Sequence, residues 1–178
     1  MSLYLALIIL VVITIALSLV AILAKKPWLA APSALPVLAA IVMAGRPEGG
    51  GALVFALTGL GVIAGSPIVA LVLRLATSEK VELGLFGGIL VKDTTTPPPQ
   101  RSHEVLRGGA TIGYLERFAL IGTVLVGQPA AVAIIVAIKG LGRFSELESS
   151  QARERFIIGT LASLTWAGTC ATAAALSW

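Results

Sequence analysis

Six charged or amide side chains interrupt the otherwise apolar stretch 111–147: Glu116, Arg117, Gln128, Lys139, Arg143 and Glu146. Charges inside a bilayer are costly, so they pair with one another or line a wet cavity. Arg143 and Glu146 are spaced i, i+3, which sets them on one face of a helix. Glu116 comes within reach of Lys139 or Arg143 if the chain turns back between them. Such a set has three uses. It can be a salt-bridge cluster that fixes a hairpin's depth at the membrane surface, an ion or lipid-headgroup pathway, or a docking surface. The salt-bridge cluster is the preferred reading.

Catalytic chemistry finds less support. His103 stands in a polar loop with no nucleophile near it, so it reads as solvated. Glu116 and Glu146 form the one carboxylate pair with a setting suited to acid–base work, and the set is weak. Gly84, Gly87 and Gly88 lack the strand–turn–helix context of a phosphate-binding loop. One histidine and one cysteine, Cys170, close no metal site and no disulfide. The expectation is a protein that is not an enzyme and needs no metal or cofactor.

The elements that would position these groups are membrane helices. Of 178 residues, 57% are hydrophobic and only 12% charged, with a mean hydropathy of +0.96. A soluble domain carries roughly 25% charged residues. The net charge of +4 is confined to loops, where it orients a membrane protein and implies no nucleic-acid partner. The apolar run 3–24 is charge-free and followed by Lys25-Lys26. At 1.5 Å per residue it crosses a hydrocarbon core of roughly 30 Å. Its uncharged start and basic flank read as a permanent anchor with the N-terminus outside, not a cleaved signal.

Trp28 suits an interfacial position, and a short apolar segment at 31–45 follows, with Pro32 and Pro36 near its start. The turn Arg46-Pro47-Glu48-Gly49-Gly50-Gly51 leads into a second long run, 52–73, which Pro67 is expected to kink. Residues 1–75 thus read as the N-terminal transmembrane helices. Residues 76–109 form a cytoplasmic loop with the extended linker Thr94-Thr95-Thr96-Pro97-Pro98-Pro99-Gln100. Within that loop, 81–91 is apolar, Gly-rich and too short to span, so it is expected as a hairpin or interfacial segment. Residues 110–178 form the C-terminal membrane region, ending in a clean span over 156–178.

Two topologies fit the middle of that region. One span over 118–138 would bury Gln128 and Pro129 at its centre; alternatively, Gly127-Gln128-Pro129 joins two short helices near 112–126 and 129–142. A mid-bilayer glutamine costs a few kcal/mol unless paired, and proline prefers a helix's first turn. The single span sets eight of the thirteen Lys and Arg residues inside; the hairpin brings Lys139, Arg143, Arg153 and Arg155 to that side as well and leaves only Arg46 outside. The positive-inside bias therefore favours the hairpin. The fold class expected is all-α, polytopic, with five to six apolar segments including a short helical hairpin.

Two small-residue faces stand out. Gly61 and Gly65 form a GxxxG pair, and Gly159, Ser163, Ala167, Ala171 and Ala175 recur every four residues in the last run. Such faces let helices approach closely, and packing within the chain is the simpler use, ahead of a dimer interface. The hydroxyls of Thr160, Ser163, Thr165, Thr169 and Thr172 are expected to bond their own backbone. The mixed-charge run 148–155 is expected as a solvated helix or connection.

Residues 109–163 carry an ordered motif set: Ile112-Gly113-Tyr114-Leu115-Glu116-Arg117, Gly127-Gln128, Ala137-Ile138-Lys139, Arg143-Phe144-Ser145-Glu146-Leu147 and Ile158-Gly159-Thr160-Leu161-Ala162-Ser163. This set resembles the C-terminal region of an uncharacterised bacterial membrane-protein family, domain of unknown function 3307. Pro129 and Gly140 depart from its pattern, and the first 108 residues show no such likeness. The resemblance implies a bacterial cytoplasmic-membrane protein and no particular reaction. The leading expectation is a non-enzymatic subunit that packs with itself or a membrane partner and supports transport. The alternative is a small channel or transporter with a polar pathway near Gln128, and a lipid-modifying membrane enzyme is third.

Overall fold

A computed structural model of the chain describes residues 3–43, 50–76, 89–91, 103–105, 109–142 and 150–177. It is built of helices: α1 (Leu3–Leu23), a 3₁₀ turn (Pro27–Ser33), α2 (Ala34–Val42), α3 (Gly51–Ala76), α4 (Gly109–Leu125), α5 (Ala131–Gly142) and α6 (Ser150–Leu176). Three of them, α1, α3 and α6, are long and apolar enough to cross a membrane. The loop between α3 and α4 adds one short antiparallel ladder, β1 (Ile89–Val91) against β2 (His103–Val105). Of the apolar segment 81–91, only Ile89-Leu90-Val91 is described, and its aliphatic residues suit a strand; 81–88, with Gly84, Gly87 and Gly88, lies outside the described residues. Residues 46–49 of the turn, the whole Pro-rich linker 94–100, Arg143 and Glu146 lie outside the described residues.

Contacts between elements set their directions. Arg74 at the end of α3 donates to the Lys25 carbonyl just past α1 at 3.5 Å, so both helices end on one face of the bundle. Tyr4 at the start of α1 reaches the Met43 carbonyl beyond α2, also at 3.5 Å, so α2 runs back to the opposite face. Gly159 near the start of α6 packs on Val69 and Leu73 near the end of α3, so α6 is antiparallel to α3. Lys25, Arg74 and the α6 start with Arg153 and Arg155 therefore share one end of the molecule. That basic end follows from packing, independently of any charge count.

Helix termini are set locally. Lys25 takes a left-handed φ of 54°, and Lys26 N–H donates to Ala21 O while Lys25 N–H donates to Ile22 O. Gly127, with φ of 76°, ends α4 in the same way: Gln128 N–H donates to Thr123 O at 2.7 Å and Gly127 N–H to Val124 O at 3.0 Å. Both are Schellman endings that satisfy orphan carbonyls. Pro67 sits inside α3, which continues through it.

The core lies where α1, α2, α3 and α6 meet, around Leu7, Val11, Val37, Leu53, Leu57, Leu60 and Cys170. A second, smaller cluster joins α4 to α6 through Leu120, Ile121, Ala167 and Ala171. The small residues make this possible. A Cβ on Gly61 would fall 2.7 Å from Ile121 Cδ1 and 2.9 Å from Cys170 Cβ, so three helices converge on that glycine. Ser163, Ala167 and Ala171 are buried and Gly159 contacts α3, whereas Ala175 is exposed. The four-residue stripe drifts around a helix of 3.6 residues per turn, and its last member leaves the interface.

Candidate functional site: a buried arginine and a hairpin ion pair

Residues 109–142 form a helical hairpin, α4–turn–α5, with Val126 to Ala130 exposed at the turn. Gln128 lies on this turn, distant along α4 from the charged groups, and does not join them. Glu116 and Lys139 do meet, as an ion pair between α4 and α5 with the two side chains only 12% and 16% exposed. Lys139 Nζ also stands 5.9 Å from the ring centroid of Phe156 on α6, a cation–π contact.

Arg117 corrects the expected surface cluster. One residue further along α4 than Glu116, it is turned about 100° away, into the seam between α3 and α6, and is 3% exposed. Its Nε donates to the Val62 carbonyl at 2.9 Å, Nη2 to Ser66 Oγ at 2.8 Å and Nη1 to Ser163 Oγ at 3.3 Å. Its Cζ lies 5.0 Å from the Tyr114 ring centroid. Two glycines make the room. A Cβ on Gly65 would fall 2.5 Å from Arg117 Nε, and one on Gly113 would fall 3.2 Å from Nη1. Depth follows from helix rise: Ser66 precedes Arg74 by eight residues and Ser163 follows Arg155 by eight, about 12 Å each. The guanidinium is thus well inside the bundle, not at its basic end.

All three acceptors are neutral. They supply hydrogen bonds without a countercharge, and among the described residues the one carboxylate beside Arg117 in sequence, Glu116, is bound to Lys139. A planar fork suits this geometry, because three acceptors on two helices are met by one rigid group. A methyl-sized change at Gly65 would already collide with it, so no free volume surrounds the guanidinium on the α3 side.

The expected backbone bonding of the α6 hydroxyls holds for Thr169 onto Thr165 O and Thr172 onto Gly168 O. Ser163 instead accepts from Arg117. Arg155, expected on a solvated stretch, is buried, because α6 begins at Ser150 and carries that turn into the bundle. Two further features escaped the sequence. The Trp166 indole N–H is buried with no acceptor among the described residues. An open apolar groove of about 560 Å³ runs between α2, α3 and α6, lined by residues including Val37, Leu38, Ile68, Val72, Leu161 and Trp166. Among the described residues no three metal-ligating side chains gather.

The sequence carries a signal for Arg117. Gly113 lies one turn before it, and Gly65-Ser66 and Ser163 are the small and polar positions it needs. Only the pairing of helices shows that they face it. No family model, curated protein or solved structure matches this chain.

Proposed function

We propose that the protein is a non-enzymatic subunit of a bacterial cytoplasmic membrane, N-terminus outside, that packs with a membrane partner or a second copy along its α4–α5 hairpin and supports transport. One observation carries this. No described side chain of α5 is buried, and Ile134, Ile138 and Leu141 are 62%, 66% and 80% exposed. At 1.5 Å per residue its 12 residues reach only about 18 Å, short of the roughly 30 Å hydrocarbon core. A helix that stops inside hydrocarbon leaves backbone groups that need protein or water around them.

The small-residue faces no longer motivate assembly, since Gly61, Gly65, Gly159, Ser163 and Ala167 all pack within the chain. The test uses single cysteines at Ile134 and Ile138 with Cys170 replaced by Ala, in native membranes. Crosslinking at these positions into a species larger than the monomer, absent with the cysteine at exposed Phe55 of α3, supports the reading. Equal crosslinking at all three, or none, removes it.

The transport alternative rests on Arg117, a charge held inside the bundle. It predicts that Arg117→Met abolishes flux of an anion across proteoliposomes while the protein stays folded; unchanged flux would dismiss it. Gln128, on the exposed hairpin turn, stands apart from Arg117 along α4.

A further inference from the structure

We propose that the Glu116–Lys139 pair is a latch and that α5 is a movable arm, pivoting at the Gly127–Gln128–Pro129 turn and held against the bundle chiefly by this pair. The packing of α5 is thin: no described side chain is fully buried, and Ala131, Val132, Ile135 and Lys139 are half-buried. Val132, at the hinge end, packs against the Leu120 and Ile121 cluster. Beyond that point the exposed positions Ile134, Ile138 and Leu141 contribute no buried side chain. At the far end stands the ion pair, reinforced by the Phe156 ring. A charged tie near the tip of a thinly packed arm is the arrangement of a clasp.

The pivot has the matching chemistry. Gly127 is left-handed, Pro129 donates no backbone hydrogen bond, and the turn is exposed throughout. Among the described residues α5 reaches the buried clusters only through Val132 at the hinge, and Arg117 fastens α4 to α3 and α6. Opening α5 therefore leaves α4 in place. In lipid there is little hydrophobic drive to hold one apolar helix on another, so the polar tie decides the position. An anionic group that competes for Lys139 would release the arm, and the proposal is independent of which partner, if any, the hairpin meets.

The test is spin-label distance measurement in lipid nanodiscs, with Cys170 replaced by Ala and labels at the exposed positions Leu115 and Ile138. The intact latch should give one dominant short distance. Lys139→Met and Glu116→Gln should each shift the ratio of close to open populations by about tenfold, the effect of losing one charge-assisted hydrogen bond. A second label pair at Phe55 and Leu161, on α3 and α6, should not move and so reports that the bundle remains folded. The proposal is overturned if the Leu115–Ile138 distances are unchanged in both variants, or if both label pairs shift together.

Discussion

Gly65→Ala is the sharpest perturbation the structure offers, because an ordinary expectation and the structural one have opposite signs. In a helix interior, alanine is favoured over glycine by about 0.8–1 kcal/mol. At Gly65 the added Cβ would fall 2.5 Å from Arg117 Nε and 2.9 Å from Cζ. The guanidinium must withdraw, and its bonds to Val62 O, Ser66 Oγ and Ser163 Oγ are strained or lost together. Hydrogen bonds to a charged group contribute about 1.5–3 kcal/mol each. A buried charge left without partners costs about 3–5 kcal/mol. The net expectation is destabilisation by about 2–4 kcal/mol once the helix-propensity gain is subtracted. The assay is reversible unfolding in mixed micelles, repeated in an Arg117→Ala background. There the collision is gone, and Gly65→Ala should be neutral or stabilising by up to about 1 kcal/mol. A single variant as stable as the parent, or equal destabilisation in both backgrounds, refutes the account of Arg117 as a three-helix clasp.

Other consequences are equally direct. Gly61→Ala should destabilise by about 1–3 kcal/mol, because its Cβ meets both Ile121 and Cys170; the same unfolding assay reads it, and a neutral result would mean α4 does not pack as described. Gly127→Ala forces a left-handed alanine at the hairpin turn and should cost about 1–2 kcal/mol, whereas Gly140→Ala, where a Cβ meets nothing within 4 Å, should be neutral or stabilising. Trp166→Phe removes a buried donor that lacks an acceptor among the described residues, so melting temperature should hold or rise; a loss well beyond that of an ordinary core truncation would reveal a partner for the indole. Single cysteines at Gln128 and Ser150, with Cys170→Ala, should be labelled from opposite sides of the membrane if the hairpin tip faces away from the basic end.

Much of the architecture was legible along the chain. Runs of apolar residues long enough to cross a bilayer mark α1, α3 and α6, because hydrocarbon thickness imposes a length that local sequence must meet. The break at Gly127-Gln128-Pro129 marks the hairpin for a local reason too: glycine takes the left-handed ending, and proline begins the next helix. That Glu116 meets a cation of the returning helix also follows once the chain turns back, since opposite charges in lipid seek each other; the packing picks Lys139 from the two candidates, Lys139 and Arg143.

Arg117 shows where that reasoning stops. A list of charged residues treats Glu116 and Arg117 alike, as neighbours at one membrane depth. Consecutive residues on an α-helix point about 100° apart, so one faces α5 and the other enters the seam between α3 and α6. Which side is interior depends on which helices lie beside α4, and no residue of α4 encodes that alone. The small faces carry the same ambiguity: glycine spacing announces that something packs closely at Gly61 and Gly65, and only the assembled bundle names Ile121, Cys170 and Arg117 as what does. Span length and turn chemistry are properties of the local chain, readable one segment at a time. The partner of each face is a property of the whole packing, and it decides which charge is paired, which is buried, and which helix is left free to move.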